Sequence, residues 1–240
     1  MPPPPNANPF VRRLPGVATE RDLNRMAWAP SYLAPRLRDV QNLSGSPLPE
    51  VTGEERERLD AILENIDAAE PRRAYADFVG GERGAFIRMQ LRGDADAIVP
   101  ACASLPFAAW EARDLIFRNG FAEGMSLAGR CFISLGAELL RFTPLRELRL
   151  VAIAPFMGEL ANCPHLSRIE SLNLWGNHIE AEGVRQLVKS PFLTQLRHLN
   201  LRRNSLDAEA IRELQTAPWF PQLDNVDLTE NAYSEPTTIH

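Results

Sequence analysis

Cys163 and His165 are the residues of this sequence that most resemble a nucleophile and its general base. A cysteine attacks a carbonyl carbon once a nearby imidazole has taken its proton, so the pair suggests a small hydrolase. Both residues lie in a turn that leads into a leucine-rich segment, where a cysteine commonly fills a small space in the core. We therefore favour a structural role for Cys163 over a catalytic one.

Two carboxylates, Asp77 and Glu82, are also close enough in sequence to suggest acid–base chemistry. Asp77 lies in a helical pattern, however, and helix capping or pairing with an arginine such as Arg88 explains it better. The four histidines are scattered, and the sequence shows no metal-binding cluster or glycine-rich phosphate loop. We predict a non-enzymatic protein without a cofactor, a metal or a small-molecule substrate.

The composition narrows the class of partner. The chain has 240 residues, a formal net charge of -5 and no run rich in lysine or arginine, which disfavours nucleic acid as a partner. Its three cysteines lack disulfide or zinc spacing and fit a reducing compartment. The sequence has neither a signal-like start nor an apolar stretch approaching the roughly 18 residues of a membrane span. We predict a cytoplasmic protein without direct membrane insertion.

Residues 1–50 form a proline-rich segment that holds ten of the 20 prolines. Proline disfavours helix and strand, so we expect an extended arm, with one short helix after Thr19 that Pro30 ends. The arm carries too much apolar surface to remain fully solvated. It either packs back on its own chain or binds a partner through apolar side chains that include Phe10, Leu14, Trp28 and Tyr32.

The pattern becomes helical from Glu54 to about Leu115. Leu59, Ile62 and Ile66 keep the spacing of one helix face, and Pro71 suits the first turn of a second helix. A glycine pair ends that helix, a third helix follows, and one or two more are expected between residues 95 and 115. We therefore predict a small helical domain over residues 51–118.

Residues 119–240 contain one pattern that recurs. Its leucines are spaced as in Leu196-Arg-His-Leu199-Asn-Leu201, and an asparagine follows three residues later, at Asn204. Corresponding leucines at 174, 201 and 228 are 27 residues apart, within the range of leucine-rich repeats. Each repeat is expected to form a short strand with inward leucines, an asparagine that bonds open backbone groups, and a returning helix. About four parallel strands are predicted.

The chain from about residue 54 to 231 resembles bacterial leucine-rich-repeat proteins of the ribonuclease-inhibitor type that carry an N-terminal repeat-companion domain. Besides the repeats, the residues that carry this resemblance are Leu59-Asp-Ala-Ile62-Leu63, Pro71-Arg-Arg-Ala-Tyr75-Ala-Asp77-Phe78, Gly84-Ala-Phe86-Ile87-Arg88-Met-Gln90 and Phe117-Arg-Asn-Gly120-Phe121. The resemblance implies an α/β leucine-rich-repeat solenoid with helices on its convex side. It implies no catalytic activity for the companion domain, which would cover the first repeat.

The residues between inward leucines should form columns on the concave face of such a solenoid. Four columns can be written, which begin with Glu147, Arg149, Val151 and Ala152. Trp175 lies beside several arginines in this scheme, and these residue types are enriched at binding hot spots, although Trp175 alternatively lies on a neighbouring repeat. The candidate binding residues are Glu147, Arg149, Trp175, His198, Arg202, Arg203, Asp227 and Glu230.

The function predicted from the sequence is protein–protein recognition through the concave face, in a hetero-complex. The alternative is a structural subunit held in a larger complex by its arm and by the edge of its last strand. Acidic residues on that strand, such as Asp227 and Glu230, either discourage aggregation or meet another subunit. A small hydrolase is the third interpretation.

Overall fold

The structure is a computed structural model that describes residues 51, 53–94, 98–100, 103 and 112–232. The arm over residues 1–50, including its binding candidates Phe10, Leu14, Trp28 and Tyr32, lies outside the described residues. So do the short helix expected after Thr19 and most of the segment in which further helices were expected.

Three helices lie at the N-terminal end of the described chain. They are α1 (Gly53–Glu64), α2 (Ala69–Val79) and α3 (Gly81–Leu91). Leu59 and Ile62 are buried with Ile87 of α3, as the spacing of the first two predicts, whereas Ile66 lies beyond the end of α1 and is half-buried. Pro71 lies in the first turn of α2. Gly80 separates α2 from α3 with a φ of 58°, a left-handed conformation that glycine adopts with little strain. The glycine pair therefore ends α2 as expected.

A β-hairpin follows and corrects the helical prediction up to Leu115. Its strands β1 (Arg113–Arg118) and β2 (Phe121–Ala128) are antiparallel. The turn is Asn119-Gly120, with φ of 50° and 84°, a dipeptide typical of tight hairpin turns. The domain boundary predicted at residue 118 therefore falls within this hairpin. Tyr75 packs against Phe121, with ring centroids 5.4 Å apart, so the hairpin contacts the helices.

The fold class is α/β, with one six-stranded sheet in the described part of the chain. The strands lie in sequence order, and every neighbouring pair after β1 and β2 is parallel. The later strands are β3 (Glu147–Val151), β4 (Ser171–Asn173), β5 (His198–Asn200) and β6 (Asn225–Asp227). Five parallel strands are thus present instead of about four, because β2 precedes the first leucine pattern that the sequence displayed.

Helices connect the parallel strands and cover the leucine side of the sheet. They are α4 (Gly129–Phe142), α5 (Met157–Ala161), α6 (Glu180–Val188) and α7 (Ala208–Gln215). Strand leucines such as Leu148 and Leu199 share one buried cluster with helix residues such as Leu139, Leu187 and Leu214. Since side chains alternate along a strand, residues next to these leucines lie on the opposite face. The fold thus separates a leucine face from a polar face.

A buried asparagine stabilises the turn after each of the last three strands. Asn204 accepts hydrogen bonds from the N–H groups of Asn177 and Ile179, at 3.0 and 3.3 Å. It donates to the carbonyl groups of Leu174 and Arg202, at 3.0 and 3.3 Å. The side chain therefore pairs four backbone groups, two of which lie in the turn of the preceding repeat.

The same bonds recur at two other asparagines. Asn177 donates to the carbonyl groups of Leu150 and Leu174 and accepts from the N–H of Ile153. Asn231 accepts from the N–H of Asn204 at 2.7 Å. Asn177, Asn204 and Asn231 thus form an asparagine ladder, and the backbone-bonding role predicted for them is confirmed.

A buried ion cluster joins the helices to the sheet. Arg72 and Glu123 are both fully buried, and the Arg72 guanidinium donates to Glu123 Oε1 at 2.7 Å. Arg72 also donates to the carbonyl oxygens of Arg118 and Asn119, while Arg146 donates to Glu123 Oε2 at 2.7 Å. The sequence did not reveal this cluster. Its members come from α2, the hairpin and the residue before β3, so it fixes the helices against the sheet.

Candidate functional site

The strand register aligns the residues of the polar face into rows across the sheet. Glu147 pairs with Ser171, Ser171 with His198, and His198 with Asn225. The next row likewise joins positions 149, 173, 200 and 227, and it continues on the other side to Ser126 of β2. Two columns written from the sequence therefore exist as neighbouring residues of one surface.

The fourth column does not belong to a strand face. Ala152, Gly176, Arg203 and Glu230 have φ values of 53°, 69°, 57° and 56°, so each lies in a left-handed turn after its strand. Arg203 and Glu230 were placed on the concave face by counting along an extended strand. The correction has a simple cause, since the chain turns away from the sheet at these positions, which for Gly176, Arg203 and Glu230 is one residue before an asparagine of the ladder.

Arg149 and Trp175 form the centre of the polar face. The Arg149 guanidinium carbon lies 5.1 Å from the centroid of the Trp175 ring, a cation–π distance. The two residues are only 6% and 5% exposed. Trp175 thus contacts an arginine of the neighbouring strand, and both side chains are buried.

Several hydrogen-bond donors in this centre have no partner in the described part of the chain. They are all three guanidinium nitrogens of Arg149, Nε1 of Trp175 and Nδ2 of Asn200. Asn200 Oδ1 accepts the N–H of Arg202 at 2.9 Å, which fixes the amide with its NH₂ group away from the backbone. Burial lowers the pKa of Arg149, and the carboxylate of Asp114 opposes that effect. We call these groups the donor cluster.

Most charged candidates around the donor cluster are already paired. Glu147 accepts a hydrogen bond from Arg118 at 2.7 Å, and Glu230 pairs with both Arg202 and Arg203. These five side chains, on the polar face and in the turns beside it, therefore neutralise one another's charges to a large extent.

The remaining acidic candidate, Asp227, organises its own turn. Its Oδ1 accepts from the N–H of Thr229 at 3.0 Å and from the Thr229 hydroxyl at 2.7 Å. Asn173 accepts the N–H of Trp175 in the same way, at 3.0 Å. Such bonds hold the backbone two residues further on and are typical of aspartate and asparagine at turns. His198 lies half-buried in the neighbouring row of the face.

Asn200 and Ser126 belong to this site although they were not among the predicted binding residues. Asn200 was recognised as part of a column, but its sequence position shows nothing of an unpaired buried donor. Ser126 was missed with the whole of β2, and its hydroxyl donates to Asp114 at 2.7 Å. The asparagine–glycine turn at positions 119 and 120 was the available signal for that strand.

Burial shifts the pKa of both members of the candidate catalytic pair. Burial raises the pKa of the Cys163 thiol, against a weaker lowering by the backbone N–H groups of His165 and Leu166. A reactive cysteine needs the opposite shift. Burial also lowers the pKa of His165, whose ring lies edge-on to Phe132 with centroids 6.4 Å apart. Cys163 belongs to the leucine-face core, which agrees with a packing role.

The candidate carboxylate pair is resolved in favour of an ion pair. Asp77 Oδ1 accepts from Arg88 at 3.0 Å, as the sequence argument preferred, and Glu82 is exposed on α3. Among the described residues, no group of three or more His, Cys, Asp or Glu side chains has an arrangement that could hold a metal ion.

Comparison of the chain with protein families, with curated proteins and with solved structures finds no match in any of the three. In the described part of the chain, each helix is too short or too polar to cross a membrane.

Proposed function

We propose that this chain is a leucine-rich-repeat solenoid preceded by a helical companion domain, and that its polar face binds a protein partner in a hetero-complex. The observation that supports this most is the strand register, which turns separate sequence repeats into continuous rows of polar side chains around Arg149 and Trp175. Surfaces that combine arginine with tryptophan are enriched at binding hot spots.

Two further features support a binding role over catalysis, and a third bears on the location of the protein. The parallel strands repeat one small unit, which is the usual way of building an extended binding surface. The candidate thiol has its pKa shifted away from reactivity by burial. Cys163 is a free, buried thiol, which is compatible with the cytoplasmic location that we propose.

The test uses a photo-reactive side chain at two positions of the full chain. One is Asn225, which is half-buried on the polar face, and the other is Arg185, which is partly exposed on α6. We expect the residue at 225 to crosslink one cellular protein reproducibly and the residue at 185 to crosslink it far less. That protein is then purified, and its affinity for the unmodified chain is measured directly.

Matched charge changes complete the experiment. Asn225→Arg should lower the affinity for the purified partner by about tenfold or more, because a packed interface accommodates a bulky cation poorly. Glu209→Arg, on the exposed side of α7, should leave the affinity unchanged. Equal crosslinking from both positions, or an affinity insensitive to Asn225→Arg, would refute the polar face as the binding surface. Loss of the partner on deletion of residues 1–50 alone would favour the arm-mounted structural subunit.

A further inference from the structure

The donor cluster lacks what almost every buried polar group has, namely hydrogen-bond partners. Arg149 is 6% exposed, and each of its three guanidinium nitrogens is buried without an acceptor in the described part of the chain. Trp175 Nε1 and Asn200 Nδ2 share this condition. A buried charge without an acceptor is costly, and the great majority of buried donors in proteins are paired. All five nitrogens donate and none accepts, so they match an acceptor-rich group.

The neighbouring polar side chains make their hydrogen bonds elsewhere, and none of them bonds the Arg149 guanidinium. In the row of Arg149, the Ser126 hydroxyl donates to Asp114 at 2.7 Å. The Oδ1 atoms of Asn173 and Asn200 each accept the backbone N–H two residues further on, at 3.0 and 2.9 Å. The row is thus organised to hold its own turns, and it leaves the guanidinium unpaired.

The electrostatic surroundings favour one negative charge over two. Arg149 has no salt bridge within the described residues, whereas the nearby arginines Arg118, Arg202 and Arg203 pair with Glu147 or Glu230. The carboxylate of Asp114 is close enough to act on Arg149. A phosphate dianion would meet that carboxylate with more repulsion than a carboxylate group would. Contact with the Trp175 ring uses none of the guanidinium N–H donors and supplies apolar surface beside them.

We propose that the donor cluster receives the carboxylate of an aspartate or glutamate side chain from an acidic segment of a partner protein, and that binding exposes the five nitrogens, which are buried in the unbound chain. A carboxylate accepts two parallel bonds from a guanidinium, and the donors of Trp175 and Asn200 complete its coordination. The proposal rests on the binding function of the polar face and names the chemistry of the segment that this face recognises.

The first test needs no ligand. If Arg149 is an unpaired charge kept for binding, then Arg149→Met should raise the urea midpoint of the full chain, because the methionine keeps the volume and removes the charge. Arg141→Met, on the exposed side of α4, is the control and should leave the midpoint unchanged. A lower midpoint for Arg149→Met than for the control would show that Arg149 stabilises the fold, and would overturn the proposal.

The second test measures binding with a defined probe. A fluorescent hexaglutamate peptide with blocked ends should bind the full chain at low ionic strength, and a hexaglutamine peptide should not. Arg149→Met should lower the affinity for hexaglutamate by about tenfold or more, which is the typical effect of losing a hydrogen bond to a charged group. Arg141→Met should leave this affinity unchanged. The proposal would be overturned if hexaglutamate does not bind, or if the two variants bind it with equal affinity. It would also be overturned if inorganic phosphate displaces hexaglutamate at the same concentrations as free glutamate does.

The two tests separate this inference from the proposed function. If the crosslinked partner still depends on Asn225 but neither hexaglutamate nor Arg149→Met has an effect, the polar face binds a partner by other contacts and only the carboxylate site is refuted. If hexaglutamate binds through Arg149 while no partner crosslinks from position 225, the carboxylate site stands and the wider recognition surface is refuted.

Discussion

Replacing Asn204 by alanine should destabilise the fold more than its small size suggests. The side chain is fully buried and makes four hydrogen bonds to backbone groups, with Asn177, Ile179, Leu174 and Arg202. Alanine would leave all four backbone groups without this partner. At about 1 kcal/mol for each bond, the expected loss in the free energy of unfolding is about 4 kcal/mol.

Urea denaturation followed by far-UV circular dichroism measures this loss directly. For a chain of this size, about 4 kcal/mol also corresponds to a fall in Tm of about 8–16 °C. Asn162→Ala is the matched control, since Asn162 is exposed and makes one bond, to the carbonyl of Gly158 at 2.8 Å. It should change the free energy of unfolding by about 0.5 kcal/mol or less.

A change below about 1 kcal/mol for Asn204→Ala would refute the reasoning, because buried backbone groups would then be satisfied without the ladder. Asn204→Asp gives an independent check on the two donated bonds. The aspartate carboxylate keeps the acceptor oxygen of the native asparagine, but it has no hydrogen to donate to the carbonyl groups of Leu174 and Arg202. Protonation restores one donor, so the deficit of this variant relative to the native chain should shrink as the pH falls.

Three other perturbations follow from the described contacts. Glu123→Gln should cost about 3 kcal/mol in urea unfolding because it leaves a buried guanidinium without its charge partner, whereas Glu159→Gln in an exposed pair should cost almost nothing. Burial lowers the pKa of His165, which means that the folded state favours the neutral imidazole. Its contribution to the free energy of unfolding is therefore complete above about pH 6.5 and is lost as the pH falls. The urea midpoint of His165→Gln should therefore fall less than that of the native chain between neutral and acidic pH, and an identical fall would contradict the assignment. Gly120→Ala should destabilise by about 2 kcal/mol or more, because Gly120 has a φ of 84° and a Cβ would lie 2.4 Å from a side-chain atom of α3, while Gly158→Ala should be tolerated.

The α/β class and the ladder could be predicted because they depend on local periodicity. Leucines at fixed spacing require one buried face, and an asparagine at the same distance from each strand has only backbone groups to bond. The pairing of Asp77 with Arg88 was also predictable, since two helices of the same pattern bring them together. These features need no knowledge of distant parts of the chain.

The rest of the site depends on contacts that the sequence does not display. Arg149 and Trp175 are buried because of residues that are distant in sequence, so their burial cannot be predicted from positions along one strand. Ala152 and Arg203 do not belong to residue types that favour a left-handed conformation, so the end of each strand face was misplaced. Arg72 lies 51 residues from Glu123, and nothing in the spacing links them.

The asparagine ladder has a direction, which affects how this protein can vary in length. Asn231 and Asn204 each accept from the N–H of the asparagine 27 residues earlier, which is Asn204 for Asn231 and Asn177 for Asn204. A duplicate of residues 178–204 could be inserted after Asn204. The Oδ1 of its asparagine would accept from the unit before it, and the backbone N–H of that asparagine would donate to the unit after it. The architecture is therefore modular, and we expect it to accept such an added unit without redesign of either junction.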